Sequence, residues 1–152
     1  MKKTSIHLML SIIFSTIILA GCQKSKDSDE PVAVTKESLA GSYKLTALTS
    51  KTSIVPDEQN SYNELEACER DDIYTLRADF TADYTDAGTH CDPDGSYPNV
   101  NWQLDGNNIM IPGSSTDYSG TIKSYNGKTL VIEGLYTVMG INVTVKATFT
   151  KQ

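Results

Sequence analysis

The sequence predicts an all-β protein, an eight-stranded antiparallel up-and-down barrel with a short N-terminal helical turn. Two observations predict the strands. Apolar and polar residues alternate from Gly41 onward, and turn residues interrupt this alternation every ~8–12 positions. A third predicts the barrel: tight connections alternate with long ones, so the tight turns share one end of a meander and the long loops share the other.

The strands follow from the alternation. The clearest strand is 141–150, where apolar residues occupy every second position and polar residues fill the gaps. Such a strand has one buried face and one solvated face. Seven further strands with less regular alternation are expected at 42–50, 72–80, 83–88, 99–105, 108–112, 117–125 and 128–138.

Three short connections define the closed end of the predicted barrel. They are expected near 81–82, at Gly106-Asn107 and at Asn126-Gly127, and the last is a strong hairpin signal. A β-sandwich of immunoglobulin type is the alternative. It requires a Cys…Trp…Cys order, whereas Trp102 follows both cysteines of the predicted domain.

A short helical turn is expected before the first strand. Thr35 can cap residues 36–40, and Gly41 can end the helix. Because this segment immediately precedes strand 42–50, it is expected to cover the closed end of the barrel.

The N-terminal segment predicts a lipoprotein signal peptide over residues 1–21. Lys2 and Lys3 precede an uncharged run of 13 residues, 8–20, which is shorter than the ~20 residues of a membrane span. The run ends Leu-Ala-Gly-Cys at Cys22, which resembles the lipobox of bacterial lipoproteins. Acyl chains on Cys22 are therefore the predicted contact with a membrane. An ordinary secretory signal is the alternative.

Residues 22–34 are predicted to form a flexible tether, followed by one domain at 35–152. The tether has no hydrophobic period. Gln23, rather than Asp, follows the cysteine, which favours the outer membrane. Residues 23–30 resemble the acidic export signals of surface lipoproteins, although a plain hydrophilic tether is equally compatible. The expected location is thus the outer membrane, at its periplasmic face or the cell surface.

Charge and composition exclude several classes of function. The chain has 13 Lys+Arg and 19 Asp+Glu, a net charge of -6. Residues 1–21 contain two of the lysines and no acid, so the remainder has 11 basic and 19 acidic residues, a net charge of -8. This excess argues against nucleic acid as a partner. Only His90 remains after the signal, so no enzyme activity, metal or cofactor is predicted.

Cys68 and Cys91 are predicted to form a disulfide. The compartment is oxidising, and two cysteines have one connectivity. The bond would close a loop of 24 residues, for which loop-closure entropy predicts about 3 kcal/mol of stabilisation. A metal site formed by Cys68, His90 and Cys91 is the competing interpretation.

Five inward-facing aromatic residues are the candidate ligand-binding residues. They either line a cavity or fill it, because an eight-stranded barrel is just wide enough for either. Buried tyrosine hydroxyls need hydrogen-bond partners, which favours a cavity with polar groups in its wall. The five are Tyr43, Tyr74, Trp102, Tyr136 and Phe149.

Two groups of residues resemble a known family. Residues 39–45 are similar to the opening of lipocalins, with Tyr43 where a Trp is expected. A longer pattern resembles the lipocalin-like domains of Bacteroidetes lipoproteins: Cys68, Asp71-Asp72, residues 80–83, Cys91 and Trp102. The resemblance covers about 36–152. It implies the barrel fold, a location in the cell envelope and binding of a small molecule.

Two functions are therefore carried forward. The first is binding of a small, partly apolar molecule at the loop end of the barrel. The second is a non-enzymatic interaction module that docks a protein or an envelope polymer through its acidic loops. The acids in question are Asp57, Glu58, Glu64, Glu66, Glu69, Asp71 and Asp72.

Overall fold

A computed structural model describes residues 32–91, 95–114 and 117–152. The predicted signal 1–21, the predicted acylation site Cys22 and the tether as far as residue 31 lie outside these residues. Among the residues described, no helix has the length and hydrophobicity needed to cross a membrane.

The described chain is dominated by strands. The helical elements are short: α1 is Lys36–Leu39, a 3-10 turn is Tyr62–Glu64, and α2 is Ala67–Arg70. The strands are β1 Gly41–Thr52, β2 Gln59–Asn60, β3 Ile73–Leu76, β4 Thr81–Thr85, β5 Tyr97–Asn101, β6 Gln103–Asp105, β7 Asn108–Ile111, β8 Tyr118–Tyr125, β9 Thr129–Val138 and β10 Ile141–Lys151.

The strands form one antiparallel sheet that closes on itself. The order is β5-β4-β3-β1-β10-β9-β8-β7-β6, and β2 pairs only with β1. Neighbours are consecutive along the chain except where β1 meets β10, which joins the first long strand to the last. The two ends of this order, β5 and β6, are parts of one chain segment separated by a single residue. The predicted up-and-down barrel is therefore confirmed.

The structure has ten strand segments where the sequence predicted eight. Each predicted strand has a counterpart, and 99–105 corresponds to both β5 and β6. The break is at Trp102, whose backbone N–H donates to the carbonyl of Phe80 at 3.0 Å and whose Nε1–H donates to the carbonyl of Arg77 at 2.8 Å. The other extra strand is β2, a two-residue segment within the long connection after β1.

Helix α1 covers the closed end of the barrel, as predicted. Thr35 caps it by accepting from the backbone N–H of Ser38 at 3.1 Å. Leu39 is completely buried, and its carbonyl accepts from the Tyr43 hydroxyl at 2.8 Å. The Tyr125 hydroxyl donates to the carbonyl of Ser38. The hydroxyl groups of two buried tyrosines thus donate hydrogen bonds to backbone carbonyls of α1.

The chain enters the barrel at this closed end. The backbone N–H of Val32 donates to the carbonyl of Tyr125 at 3.0 Å, and Val34 packs against the core. Both valines fall within the predicted tether 22–34. The helices and strands of the described residues, together with both cysteines of the predicted disulfide, lie in residues 32–152, so this fragment contains the barrel.

The turn between β3 and β4 lies earlier than predicted. The sequence predicts a turn near 81–82, but Leu76 pairs with Ala82, which centres the turn on Asp79. The Asp79 carboxylate accepts from the backbone N–H of Thr81 at 3.0 Å. Phe80 adopts a positive φ of 67°, as the last residue of such a turn often does. Strand 72–80 consequently ends at Leu76.

Candidate ligand-binding site

The end of the barrel opposite α1 contains a cavity of about 350 Å³, which we call the mouth cavity. Two long connections, a hairpin and three strands contribute to it. Its wall combines five aliphatic residues, three tyrosines, three acids and a serine: Leu48, Leu65, Val138, Val143, Val145, Tyr74, Tyr118, Tyr136, Glu69, Asp72, Asp117 and Ser114. A volume of this size is within the range of small-molecule sites, ~300–1,000 Å³.

A bulge in β1 turns one aliphatic residue into the cavity. Leu45 pairs with Phe149, but the register shifts before Ala47, so that Leu48 pairs with Ala147. Strict alternation predicts Ala47 as the inward residue. The extra residue, Thr46, reverses the faces, and Leu48 therefore packs against the core instead.

Three aromatic rings form the floor of the mouth cavity. Phe149 is fully buried, and its ring meets those of Tyr74 and Tyr118 edge-to-face at centroid distances of 5.4 and 5.1 Å. The rings of Tyr74 and Tyr118 meet in the same way at 5.8 Å. Such mutually perpendicular rings are held firmly, which keeps the floor rigid.

Tyr136 forms part of the side wall. Its ring lies over Gly134, where an added Cβ would come within 2.7 Å of the ring and within 2.3 Å of the carbonyl oxygen of Ser119. Only glycine allows this close approach of the ring and the backbone. The Tyr136 hydroxyl donates to that carbonyl at 3.0 Å and accepts from the Ser119 N–H at 3.2 Å. This hydroxyl is therefore satisfied by the barrel itself.

Asp72 is the buried acid of the mouth cavity, and 4% of its surface is exposed. Oδ2 accepts from the Tyr84 hydroxyl at 2.6 Å. Oδ1 is buried as well and does not reach the surface of the cavity. Burial raises the pKa of this carboxyl, and the nearby charges of Asp86 and Asp71 raise it further, although hydrogen bonds from the Tyr84 hydroxyl and the backbone of Ala87 oppose the shift.

Two further acids near Asp72 have contacts with the segment that follows β4. Asp71 accepts from the backbone N–H of Thr89 at 3.0 Å. Asp86 is buried, and its Oδ1 lies 3.6 Å from Nδ1 of His90. The first contact joins the residues before β3 to the segment after β4, and the second lies within that segment.

A larger groove of about 630 Å³ lies on the outside of the barrel. It runs along β7–β9, where the ion pair between Lys123 and Glu133, at 3.3 Å, lies at its edge. Outward-facing side chains dominate this groove. The mouth cavity is the better candidate because buried aromatic rings form its floor and inward-facing side chains form much of its wall.

Comparison with known families agrees with this architecture. The sequence model of the lipocalin-like domain matches residues 39–132, from the end of α1 to the middle of β9. The chain belongs to the lipocalin-like domain family. No curated protein and no solved structure matches the chain. The lipocalin-like fold is a small-molecule binding fold and is generally non-enzymatic.

A disulfide joins Cys68 to Cys91 in this lipocalin-like domain, as predicted. The two Cα atoms are 5.2 Å apart. The bond links α2 to the loop after β4, so it closes one side of the mouth. Among the described residues, only Glu66 and these two cysteines bring three potential metal-ligating atoms within 4.8 Å of one another. The disulfide occupies both sulfurs, which removes the thiolates that the competing metal interpretation requires.

The five predicted ligand-binding aromatics are distributed over both ends of the lipocalin-like barrel. Tyr74 and Tyr136 line the mouth cavity, and Phe149 lies beneath it. Tyr43 and Trp102 are buried and hydrogen-bonded at the closed end. No ligand tests these assignments, which stay predictions.

Of the twelve residues that line the cavity, the sequence predicted only Tyr74 and Tyr136 as ligand-binding residues, and the missed residues include Tyr118 and Asp72. The sequence instead places Asp72 among the acids of the predicted docking loops. The position of Asp72 could have indicated that it faces inward, because every second residue of a strand lies on the same face. Residues 74 and 76 share that face, and both are buried. Tyr118 belongs to a strand whose inward residues the alternation did not identify.

Proposed function

We propose that this lipocalin-like protein is anchored to the outer membrane by acyl chains on Cys22 and binds a small, partly apolar molecule in the mouth cavity. The observation that carries the binding proposal is the half-open cavity of about 350 Å³ at the loop end of the barrel. A well-packed barrel interior has few voids larger than a water molecule, and a known 150 Å³ cavity accepts benzene. Space for more than one ring is therefore present.

The wall supports a ligand that is partly apolar. Five aliphatic side chains and three tyrosine rings face the cavity, with polar groups concentrated near Asp72 and the mouth loops. Small-molecule sites typically combine an apolar wall with a few polar groups that orient the ligand.

The geometry is compatible with the proposed anchor. Val32 bonds to the closed end of the barrel, opposite the mouth cavity, so the described chain begins at that end. A protein held through Cys22 would then present its mouth away from the attachment point. This arrangement leaves the cavity accessible to molecules in the surrounding medium.

A cavity-filling variant tests the binding proposal. The probe is N-phenyl-1-naphthylamine, a neutral apolar dye whose fluorescence rises when it leaves water. We expect fragment 32–152 to bind it, Val145→Trp to abolish binding, and Val131→Trp to preserve it. Val145 lines the cavity, whereas Val131 lies between the inward-facing Leu130 and Ile132 and so faces outward. Dye binding that survives Val145→Trp would contradict a site in the mouth cavity.

A second candidate function is docking of a protein partner at the same end. The observation that favours it is a group of exposed apolar side chains beside the mouth: Ile54, Val55, Val138 and Met139. The predicted role of the acidic loops receives less support, because several acids have local partners. Glu58 pairs with Lys146 at 2.5 Å, for example, and Glu69 accepts from the backbone N–H of Glu66. Docking predicts that Met139→Ser, at the tip of the hairpin, weakens partner capture without affecting dye binding.

A further inference from the structure

Most tyrosines inside the barrel donate to an acceptor that the barrel itself supplies. The hydroxyls of four of them donate to backbone carbonyl or carboxylate oxygens: Tyr43, Tyr84, Tyr125 and Tyr136. Tyr74 and Tyr118, which form the floor of the mouth cavity together with Phe149, are different. Among the described residues, the hydroxyl of each interacts with the hydroxyl of the other and has no further hydrogen-bond partner.

This pair of hydroxyls has one hydrogen too many. A phenol hydroxyl has one hydrogen to donate, and its oxygen accepts. Two hydroxyls that bond only with each other use one hydrogen, so at least one O–H is left without an acceptor in the described barrel. Only 3% of the surface of Tyr74 is exposed, so bulk water has little access to this site. A buried donor without an acceptor is unfavourable, and a bound molecule can supply the acceptor.

Both hydroxyls reach the surface of the mouth cavity. Tyr74 and Tyr118 are lining residues of the cavity. Some polar side-chain atoms of the described residues have neither a hydrogen bond nor accessible surface, but all of these atoms are carboxylate oxygens of aspartates. The two phenol oxygens are not among them, so a molecule in the cavity can contact the hydroxyls directly.

The two hydroxyls remain protonated at neutral pH. Burial raises the pKa of Tyr74 and that of Tyr118 above the ordinary value of 10.0. The negative charges of Glu69 and Asp72 raise the pKa of Tyr118 further. The floor is therefore a donor of neutral hydrogen bonds, and the carboxylates near it repel an anionic acceptor.

We propose that the mouth cavity binds an uncharged carbonyl compound, whose oxygen accepts the free O–H of the Tyr74–Tyr118 pair and whose apolar body lies against the aliphatic wall. This inference rests on the proposed function and names the class of its ligand. A carbonyl oxygen accepts without bringing a donor of its own, so the complex needs no further polar partner. Leu48, Val143 and Val145 in the wall offer contacts to the apolar body.

Two molecules of nearly equal shape separate the hydrogen bond from apolar contact: acetophenone and isopropylbenzene. In acetophenone, a carbonyl oxygen takes the place of one methyl group. Binding of each molecule to fragment 32–152 is measured by NMR titration at neutral pH. The ratio of the two affinities is the informative quantity, because a change in the size of the cavity affects both molecules alike.

A double variant assigns the hydrogen bond to the two tyrosines. Tyr74→Phe with Tyr118→Phe keeps both rings of the floor and removes both hydroxyls. We expect it to lower the affinity for acetophenone relative to that for isopropylbenzene by about twofold to tenfold, the range for a neutral hydrogen bond. Tyr97→Phe removes a hydroxyl from an exposed tyrosine outside the cavity lining, and it should leave the ratio unchanged. A ratio that is also unchanged in the double variant would overturn the role of the tyrosines.

Benzoate tests the requirement for an uncharged ligand. It has the same ring as acetophenone and two acceptor oxygens, but it carries a negative charge. We expect it to bind more weakly than acetophenone, because Glu69 and Asp72 repel it. Benzoate that binds more tightly than acetophenone would overturn this part of the inference.

The unmodified fragment provides a test that needs no variant to fold. A hydrogen bond to a carbonyl oxygen lowers its C=O stretching frequency, which infrared spectroscopy of isotope-labelled acetophenone measures in the complex. We expect a frequency below that of acetophenone in hexane. A frequency equal to that in hexane would overturn the inference and leave the proposed function standing, because the ligand would then be bound by apolar contact alone. Absence of binding by both acetophenone and isopropylbenzene would contradict the proposed function as well.

Discussion

Removal of the disulfide by Cys68→Ser with Cys91→Ser should lower stability without preventing folding. The bond lies at the mouth, between α2 and the loop after β4, and Cys91 is exposed. Cys68 is buried, but neither cysteine belongs to the cluster of side chains that fills the barrel. The main effect of the bond is therefore to restrict the unfolded chain and the mouth loops.

The size of the effect follows from the loop. The cysteines are 23 residues apart, for which loop-closure entropy predicts about 3 kcal/mol at 25 °C. Fragment 32–152 has 121 residues, so its unfolding entropy is about 250 cal/mol/K near 60 °C. The ratio of these two quantities predicts a decrease in Tm of about 12 °C.

Thermal unfolding of the oxidised fragment and of the double variant measures this difference. Hydrogen exchange should accelerate in α2 and in the residues next to Cys91, while β9 and β10 should keep their protection. A decrease in Tm of less than about 4 °C would refute the entropic reasoning. Loss of the folded barrel would show that the bond supports the core after all. Two free thiols in the mass of the non-reduced protein would contradict the bond itself.

Three further predictions concern other parts of the chain. Gly134→Ala should lower the free energy of unfolding, measured in urea, by about 1–3 kcal/mol, because the new Cβ would lie 2.3 Å from the Ser119 carbonyl oxygen. An unchanged midpoint of urea unfolding would show that β8 and β9 can move apart to accommodate the methyl group. The pKa of Asp72 is raised above 3.8 in the folded protein. The folded state therefore binds more protons than the unfolded state does at pH values between 3.8 and the raised pKa. The contribution of Asp72 to stability decreases as the pH rises through this interval. The stability of Asp72→Asn relative to the unmodified fragment should therefore increase over that interval. A difference in unfolding free energy between the two fragments that stays constant with pH would contradict the raised pKa. Cys22→Ser should leave the full chain unacylated and uncleaved at this site. Labelling with a radioactive fatty acid measures the acylation, and label retained in the variant would refute acylation at Cys22.

The sequence was sufficient to predict the barrel because its evidence is local. Alternation along 141–150 corresponds to β10, and Asn126-Gly127 corresponds to the turn before β9. Such signals depend on a strand's own two faces and on its turn residues. Nothing beyond the chain order was needed to place the tight turns and the long loops at opposite ends.

The errors occurred where a single residue interrupts the period. Thr46 forms a bulge that exchanges Ala47 for Leu48 on the inner face. Asp79 ends β3 through a side-chain bond to Thr81, and this places Phe80 in a turn. Polar residues at these positions are common in regular strands as well. The period alone therefore could not identify Thr46 as a bulge or Asp79 as part of a turn.

The chemistry of the mouth cavity depends on residues that are distant in sequence. Asp72 is 45 residues from Asp117 and 64 from Tyr136, and the register of several strand pairs brings them to one cavity. The alternation 72, 74, 76 was sufficient to place Asp72 on the inner face. It could not show that the Tyr84 hydroxyl donates to one oxygen of this carboxylate. The period of one strand gives the face on which a side chain lies, whereas the partners of that side chain depend on the pairing of strands that are distant in sequence.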